Sequence, residues 1–109
     1  MEDIAVRLKR LNDTGYTDIT VWLKDDGKTI AFSTNVEGKE YSSENEDTFT
    51  AFKMLKDELL SGGYKMCCAG AMENAVQSGM MAGSDRVYLI KEGEKPKPSD
   101  AVGMFDYME

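Results

Sequence analysis

Apolar residues near the start of the chain recur at helical spacing. Ile4, Leu8 and Leu11 fall on one stripe, with acidic residues before them and basic residues toward the end of the segment. That order of charges complements a helix dipole. The pattern predicts a helix over Met1–Leu11, ended by the polar run from Asn12 to Gly15.

From Tyr16 to Ser42, apolar and polar residues alternate, as they do in strands with one buried face. Asp26-Gly27 is a typical two-residue hairpin turn, and Glu37-Gly38 predicts a second turn. The predicted pairs are Val21 with Phe32, Leu23 with Ile30, Val36 with Lys39, and Thr34 with Tyr41. These pairs place the large aliphatic side chains on one face, so the segment is predicted to be a three-stranded antiparallel meander.

A second helix is predicted after the meander. Ser43 and Glu46 have the spacing of a capping box, and Gly62-Gly63 is a typical helix end. Four residues between them form an apolar stripe at helical spacing: Phe49, Phe52, Leu55 and Leu59. We expect this stripe to lie against the sheet.

The region from Tyr64 to Gly83 has few charges and changes period within its length. Tyr64–Ala69 is a short apolar run that predicts a strand covered on both faces. From Met72 to Gly83 the apolar and small residues follow helical spacing, and Asp85–Ile90 is apolar again. Strand, helix and strand with short connections predict a βαβ unit with parallel strands and a right-handed crossover.

The remaining segments complete a predicted α+β fold. Lys91–Asp100 is a polar stretch with two prolines, which predicts a loop, and Ala101–Tyr107 predicts a last strand. The predicted order is α-βββ-α-β-α-β-β, an antiparallel meander followed by one βαβ unit in a mixed sheet of five or six strands. At 109 residues, the chain is expected to be one domain spanning residues 1–109.

The net charge of −7 bears on the class of partner. Nucleic acids and anionic membrane surfaces would be repelled over most of the surface, so neither is expected to bind. No apolar stretch long enough to span a membrane is found, and the acidic start is unlike a signal peptide. The charge suits a basic protein partner, and it suits plain solubility equally well.

The side chains that usually carry catalysis are scarce. The chain has no histidine, which removes the commonest general base near neutral pH and the common His-containing zinc motifs. Cys67 and Cys68 are adjacent, a spacing that fits neither a disulfide nor a CxxC motif. We expect two reduced core residues in a cytoplasmic protein, with no metal, no cofactor and no catalytic residue.

The predicted βαβ unit contains the best candidate for a ligand site. The strand-to-helix turn Ala69-Gly70-Ala71 leads into the predicted helix at Met72, where free amides would accept an anion. The candidate ligand-binding residues are therefore Gly70, Ala71 and Met72. Ser78, inside the predicted helix, is a further candidate, which would present a hydroxyl to a pocket.

Two large side chains are candidates for an interface. Met81 falls off the buried stripe of the predicted helix. Trp22 lies on the meander face opposite the aliphatic residues, where either the first helix covers it or it is an exposed anchor for a partner. The sequence therefore predicts a small acidic non-enzymatic protein-interaction module, such as an adaptor, an immunity-like protein or a homodimerising accessory domain. The alternatives are a small-molecule or anion-binding domain that uses the turn at Gly70 and, third, a cysteine-dependent enzyme.

Overall fold

The computed structural model describes residues 2–77, 84–90 and 101–108, which form two antiparallel sheets and one α-helix. The strands are β1 (Glu2–Arg10), β2 (Tyr16–Asp25), β3 (Ile30–Val36), β4 (Lys39–Asn45), β5 (Tyr64–Met66), β6 (Ala75–Val76), β7 (Arg86–Leu89) and β8 (Ala101–Gly103). The helix is α1 (Thr48–Ser61), and a 3₁₀ turn covers Ala69–Ala71. The larger sheet has the order β4-β3-β2-β1-β5 and curls into a half-barrel, while the smaller sheet has the order β6-β7-β8. The predicted mixed sheet of five or six strands with three helices is therefore wrong.

The N-terminal helix is the first correction, because this segment is strand β1, with β2 on one side and β5 on the other. Ile4, Val6 and Leu8 alternate along it, and Val6 and Leu8 are buried. Val6 has no place on the predicted helical stripe, whereas Leu11, which the stripe included, is 52% exposed. A period of two thus accounts for the burial, and the helical spacing of Ile4 and Leu8 was coincidental.

The antiparallel meander of β2, β3 and β4 is confirmed, but the register of its first hairpin differs from the prediction. Leu23 lies opposite Phe32 rather than Ile30, because the loop has four residues instead of two. The Asp26 carboxylate accepts hydrogen bonds from the backbone amides of Lys28 and Thr29, at 2.9 and 2.8 Å, and stabilises the longer loop. A shift of two residues keeps every side chain on its predicted face, so the burial pattern alone does not separate the two registers.

The second turn of the meander is confirmed. Val36 pairs with Lys39, and Thr34 pairs with Tyr41. Glu37 and Gly38 have φ values of 50° and 87°, the left-handed conformations that this tight turn requires.

The predicted helix after the meander is confirmed, with its stripe of Phe49, Phe52, Leu55 and Leu59 buried, but the predicted capping box is wrong. Its N-cap is Asp47, whose carboxylate accepts a hydrogen bond from the Thr50 amide at 2.9 Å. Ser43 lies in β4 instead, and its hydroxyl donates to the Ala51 carbonyl at 2.7 Å. The predicted end is confirmed, since Gly62 is the C-cap and Gly63 has a φ of 94°.

The βαβ unit is wrong. β5 is short and antiparallel to β1, and a 3₁₀ turn follows it. β6 lies in the segment that was predicted to be a helix, and it pairs antiparallel with β7 in the smaller sheet. The 78–83 part of the predicted helix lies outside the described residues. The predicted strand Asp85–Ile90 is found as β7 but is antiparallel to both of its neighbours.

Contacts distant in sequence explain the loss of the βαβ unit. The amides of Ala69 and Gly70 each donate a 2.8 Å hydrogen bond to the C-terminal segment, to the carbonyls of Asp106 and Met104. These bonds hold the chain in a tight turn where a helix was predicted. The predicted last strand is shorter than expected and ends at Gly103, whereas the predicted loop over 91–100 lies outside the described residues.

The main core lies between the curled sheet and α1. The rings of Phe32 and Phe52 meet edge to face with centroids 6.3 Å apart. Phe105 packs on both, at 5.9 and 5.3 Å, and so joins the C-terminal segment to the same core. Met104 and Val87 are fully buried. The large sheet therefore buries one face, and its other face points away from α1.

No helix within the described ranges is long and apolar enough to cross a membrane.

Candidate functional site

The candidate site is the outer face of the large sheet, which we define as the side away from α1. Its side chains alternate along each strand with the buried ones, and on the two central strands they are Asp3, Ala5, Arg7 and Lys9 of β1 and Tyr16, Asp18, Thr20, Trp22 and Lys24 of β2. All of these residues are exposed or partly exposed. The one α-helix of the described residues packs on the opposite face, through its buried stripe.

Trp22 lies on β2, the middle strand of the large sheet. In the register of the sheet, Asp3 is its neighbour on β1 and Ser33 is its neighbour on β3. Because Glu2–Arg10 is a strand, the N-terminal helix that was one of the two predicted explanations for Trp22 does not exist. A large, partly exposed aromatic ring among polar neighbours is a frequent feature of protein-binding surfaces.

Arg7 forms a second cluster on the outer face. Its guanidinium group binds the Asp18 carboxylate through two hydrogen bonds, of 2.8 and 3.3 Å, and lies about 6 Å from the ring centroids of Tyr16 and Tyr107. The hydrogen bond from Arg7 holds the pKa of the Asp18 carboxyl below its usual value, and the same pairing raises the pKa of Arg7. Tyr107 reaches this cluster because a β-bridge joins it to Cys68, beside the end of β5.

Sequence reasoning missed the Arg7 cluster. The strand register places Arg7 directly opposite Asp18, and this pair is invisible when residues 1–11 are taken as a helix. The alternation of Ile4, Val6 and Leu8 was the signal that would have revealed it.

Charge is unevenly distributed along the large sheet. The end that contains the β2–β3 loop brings together seven acidic residues and two lysines: Glu2, Asp3, Asp25, Asp26, Glu44, Glu46, Asp47, Lys24 and Lys28. The outer face toward the opposite end has Arg7 and Lys9 on β1 and Lys65 on β5, where Lys9 and Lys65 are direct neighbours. The end of the sheet beside Trp22 is therefore acidic overall, although only Asp3 and Glu44 of these acidic residues alternate onto the outer face. The outer face near Tyr16 has three basic residues and Asp18.

The turn at Gly70 is tightly packed. The Gly70 amide donates to the Met104 carbonyl, and the amides of Ala71 and Met72 donate to carbonyls within the turn itself. A Cβ atom on Gly70 would lie 2.6 Å from Cγ of Met104 and 3.0 Å from the Phe52 ring. This close contact explains why a glycine occupies position 70. The Gly70 amide is already hydrogen-bonded to the Met104 carbonyl.

Ala71 and Met72 instead line a surface groove of about 440 Å³ beside α1. Lys56 and Leu60 of α1 form one side of it, and Lys65 and Met66 of β5, together with Glu73 and Asn74, complete the lining. The other two predicted site residues, Ser78 and Met81, lie outside the described residues.

The cysteines fit the structural role that was predicted for them. Cys67 and Cys68 are both buried and form no disulfide. Burial raises the pKa of the Cys68 thiol to about 12, so that it stays protonated at neutral pH. Within the described parts of the chain, no group of three or more potential ligand side chains is arranged to hold a metal ion.

Comparison with models of known protein families gives no match, and comparison with curated proteins gives none either.

Proposed function

We propose that this protein is a non-enzymatic interaction module that binds another protein through the outer face of its large sheet. The observation that carries the proposal is the position of Trp22, partly exposed in the middle strand of that face, beside the acidic end of the sheet. Aromatic and arginine side chains contribute most of the energy at many interfaces, and Trp22, Tyr16 and Arg7 provide both types on this face.

The acidic end of the sheet, beside Trp22, favours a basic surface on the partner. Complementary charges increase the rate of encounter and exclude partners of like charge, while a central aromatic residue supplies affinity. Truncation of such an anchor costs about 2 kcal/mol or more of binding energy. Binding through this face is therefore expected to depend on Trp22 and to weaken as salt screens the charges.

A second candidate function is binding of a small molecule in the groove beside α1. It is favoured by the apolar residues Leu60 and Met72 together with two lysines, in a cavity of a size typical for small ligands. In this proposal the ligand contacts Ala71 and Met72, rather than the amide of Gly70. Titration with small phosphates and carboxylates while the melting temperature is recorded tests it, with Leu60→Ala as the variant that should lose any shift.

The third alternative, a cysteine-dependent enzyme, is disfavoured by the raised pKa of Cys68 and by the lack of histidine. We also propose a cytoplasmic location, which is supported by two reduced cysteines that have no disulfide.

The proposed function is tested by capturing proteins from a lysate of the source cells on immobilised wild-type chain and on two variants. Trp22→Ala removes the proposed anchor. Met54→Ala removes an exposed apolar side chain of α1, on the other side of the molecule, and serves as the matched control.

The wild type and Met54→Ala should retain the same basic protein, or a second copy of this chain, and release it at high salt. Trp22→Ala should retain far less. Equal retention by Trp22→Ala and the wild type, from a variant that folds normally, would refute the outer face as the binding surface.

A further inference from the structure

Half of one edge of β1 is open, and we propose that residues 2–6 of this strand bind an extended basic segment of another protein by strand addition. The segment would continue the large sheet beside β1, in line with β5. This inference rests on the proposed function and deepens it by naming the chemistry of the partner and the way in which it attaches.

β1 is paired along one side and only in part along the other. β2 pairs with it over almost its whole length, whereas β5 pairs with it only at its C-terminal end. Beyond β5, the Cys67 amide donates to the Arg7 carbonyl at 2.8 Å, and Cys68 then bridges to Tyr107. Within the described parts of the chain, residues 2–6 therefore have a neighbouring strand on one side only.

The hydrogen-bond pattern of β1 shows which backbone groups face the open side. The Arg10 amide donates to the Gly15 carbonyl, so the even-numbered residues of β1 bond toward β2. The Arg7 carbonyl bonds in the opposite direction, so the odd-numbered residues point away from β2. Asp3 and Ala5, both exposed, therefore direct their N–H and C=O groups into the open side. None of these groups has a backbone partner among the described residues.

The open side has room for a strand and an apolar position for it to cover. A surface depression of about 530 Å³ borders β1 there, lined by Ala5, Val6, Arg7, Asp18 and Tyr107. Ile4, whose side chain points to the core, is only partly buried. An added strand would place an alternate side chain beside Ile4 and remove apolar surface from water. At β4, the other edge of the sheet, the inward-pointing Tyr41 and Ser43 are already buried, so that edge offers no such gain.

Charge along the opening selects a basic segment. Glu2 and Asp3 are exposed, and neither is in an ion pair with another described residue. Arg7, at the other end of the opening, is already paired with Asp18. A basic side chain of the added strand would lie beside Asp3, whose neighbour on β2 is Trp22. The charge on this edge also disfavours pairing with acidic or uncharged strands.

The added strand should run antiparallel to β1, as β5 does. The side chains that lie beside Asp3 and Ala5 on the outer face then belong to residues whose own amides bond to β1. The alternate residues lie beside Ile4, and their amides point to solvent. A short capped peptide of alternating lysine and valine residues meets both requirements, with its lysines on the outer face, and serves as the probe.

Methylation of the peptide backbone tests strand addition. N-methyl groups on the lysine residues remove the donors that would face β1, whereas the same number of N-methyl groups on the valine residues removes donors that face solvent. The two methylated peptides have the same composition and charge, so a difference between them reports strand pairing alone. The first should bind the full chain at least about five-fold more weakly than the unmodified peptide, because backbone hydrogen bonds are lost, and the second should bind like the unmodified peptide.

Two further measurements locate the contact. Asp3→Lys should weaken peptide binding about five-fold or more at low salt, whereas Glu58→Lys, the same change of charge at an exposed position of α1, should have little effect. Hydrogen exchange followed by NMR should show rapid exchange of the Asp3 and Ala5 amides in the free chain. The amides of Ile4 and Val6, which bond toward β2, should exchange slowly. Addition of the peptide should slow the exchange of Asp3 and Ala5.

No binding of the unmodified peptide, equal binding of the two methylated peptides, or slow exchange of the Asp3 and Ala5 amides in the free chain would each overturn the inference. The proposed function would stand without it if Trp22→Ala still abolished capture of a basic protein. The proposed function alone would fail if the peptide paired with β1 while capture did not depend on Trp22.

Discussion

Gly70→Ala distinguishes a packing role for Gly70 from a role in ligand binding. The added Cβ would lie 2.6 Å from Cγ of Met104, 3.0 Å from the Phe52 ring and 3.1 Å from the Met104 carbonyl oxygen. The first distance is shorter than real Cβ contacts, and the carbonyl belongs to the backbone that accepts the Gly70 hydrogen bond. Met104 must therefore move, and it is fully buried.

Two opposing effects set the magnitude. Overpacking of a buried site costs about 1–3 kcal/mol. Replacing glycine by alanine where the backbone allows it returns about 0.4–1 kcal/mol by restricting the unfolded chain. Overpacking dominates, so the free energy of unfolding should fall by about 0.5–2 kcal/mol, which lowers the melting temperature of a chain of this size by roughly 2–8 °C.

Urea denaturation followed by the fluorescence of Trp22 measures the change. In a Met104→Ala background, Gly70→Ala should cost less, since the side chain that it would strike is gone. A Gly70→Ala variant as stable as the wild type would contradict the packing argument. The same reasoning shows that a Gly70 substitution is a poor test of ligand binding, because it perturbs the core with no ligand present.

Three further predictions test the fold and the local chemistry. In urea denaturation, Leu8→Ala should destabilise the protein by about 2–5 kcal/mol and Leu11→Ala should change stability by less than about 0.5 kcal/mol, because only Leu8 is buried. Equal effects of the two substitutions would favour the predicted N-terminal helix over strand β1. Iodoacetamide should label Cys67 and Cys68 slowly in native buffer and rapidly in urea, since burial raises the pKa of Cys68 to about 12, and fast native labelling followed by mass spectrometry would contradict this. Hydrogen bonds from the Thr29 and Lys28 amides lower the pKa of the Asp26 carboxyl in the folded protein. The stability that this carboxylate adds should therefore be fully present above the unfolded pKa of about 4, and it should be lost as the pH falls through the lower folded pKa. The melting temperatures of wild type and Asp26→Ala should therefore differ at pH 7 and converge in acid, and a gap that widens in acid would show the opposite sign.

The local signals in the sequence predicted the elements that local contacts determine. The turn at Glu37-Gly38 and the stripe of α1 were predicted because turn conformations and helical periodicity are properties of a few neighbouring residues. Trp22 was correctly placed on the face opposite the aliphatic residues, because the side-chain alternation of β2 survives an error of two residues in register.

The errors came from interactions between distant segments. β1 has neighbouring strands from two separate parts of the chain. The segment Met1–Leu11, which was predicted to be a helix, contains apolar residues at both helical and strand spacing. The turn at Gly70 is fixed by carbonyls of Met104 and Asp106, more than thirty residues away. The Arg7 cluster was missed because it depends on the same strand assignment, for which the alternation of Ile4, Val6 and Leu8 was the available signal.

The central claim is that partners bind the outer face of the large sheet, and quenching of Trp22 by acrylamide tests it most directly. Trp22 is the only tryptophan in the chain and lies partly exposed on that face, so its quenching constant reports on the proposed surface alone. In a complex with a basic protein or a second copy, the constant should fall well below that of the dilute free chain and recover at high salt. A complex that forms while the quenching of Trp22 stays unchanged would show that binding occurs elsewhere.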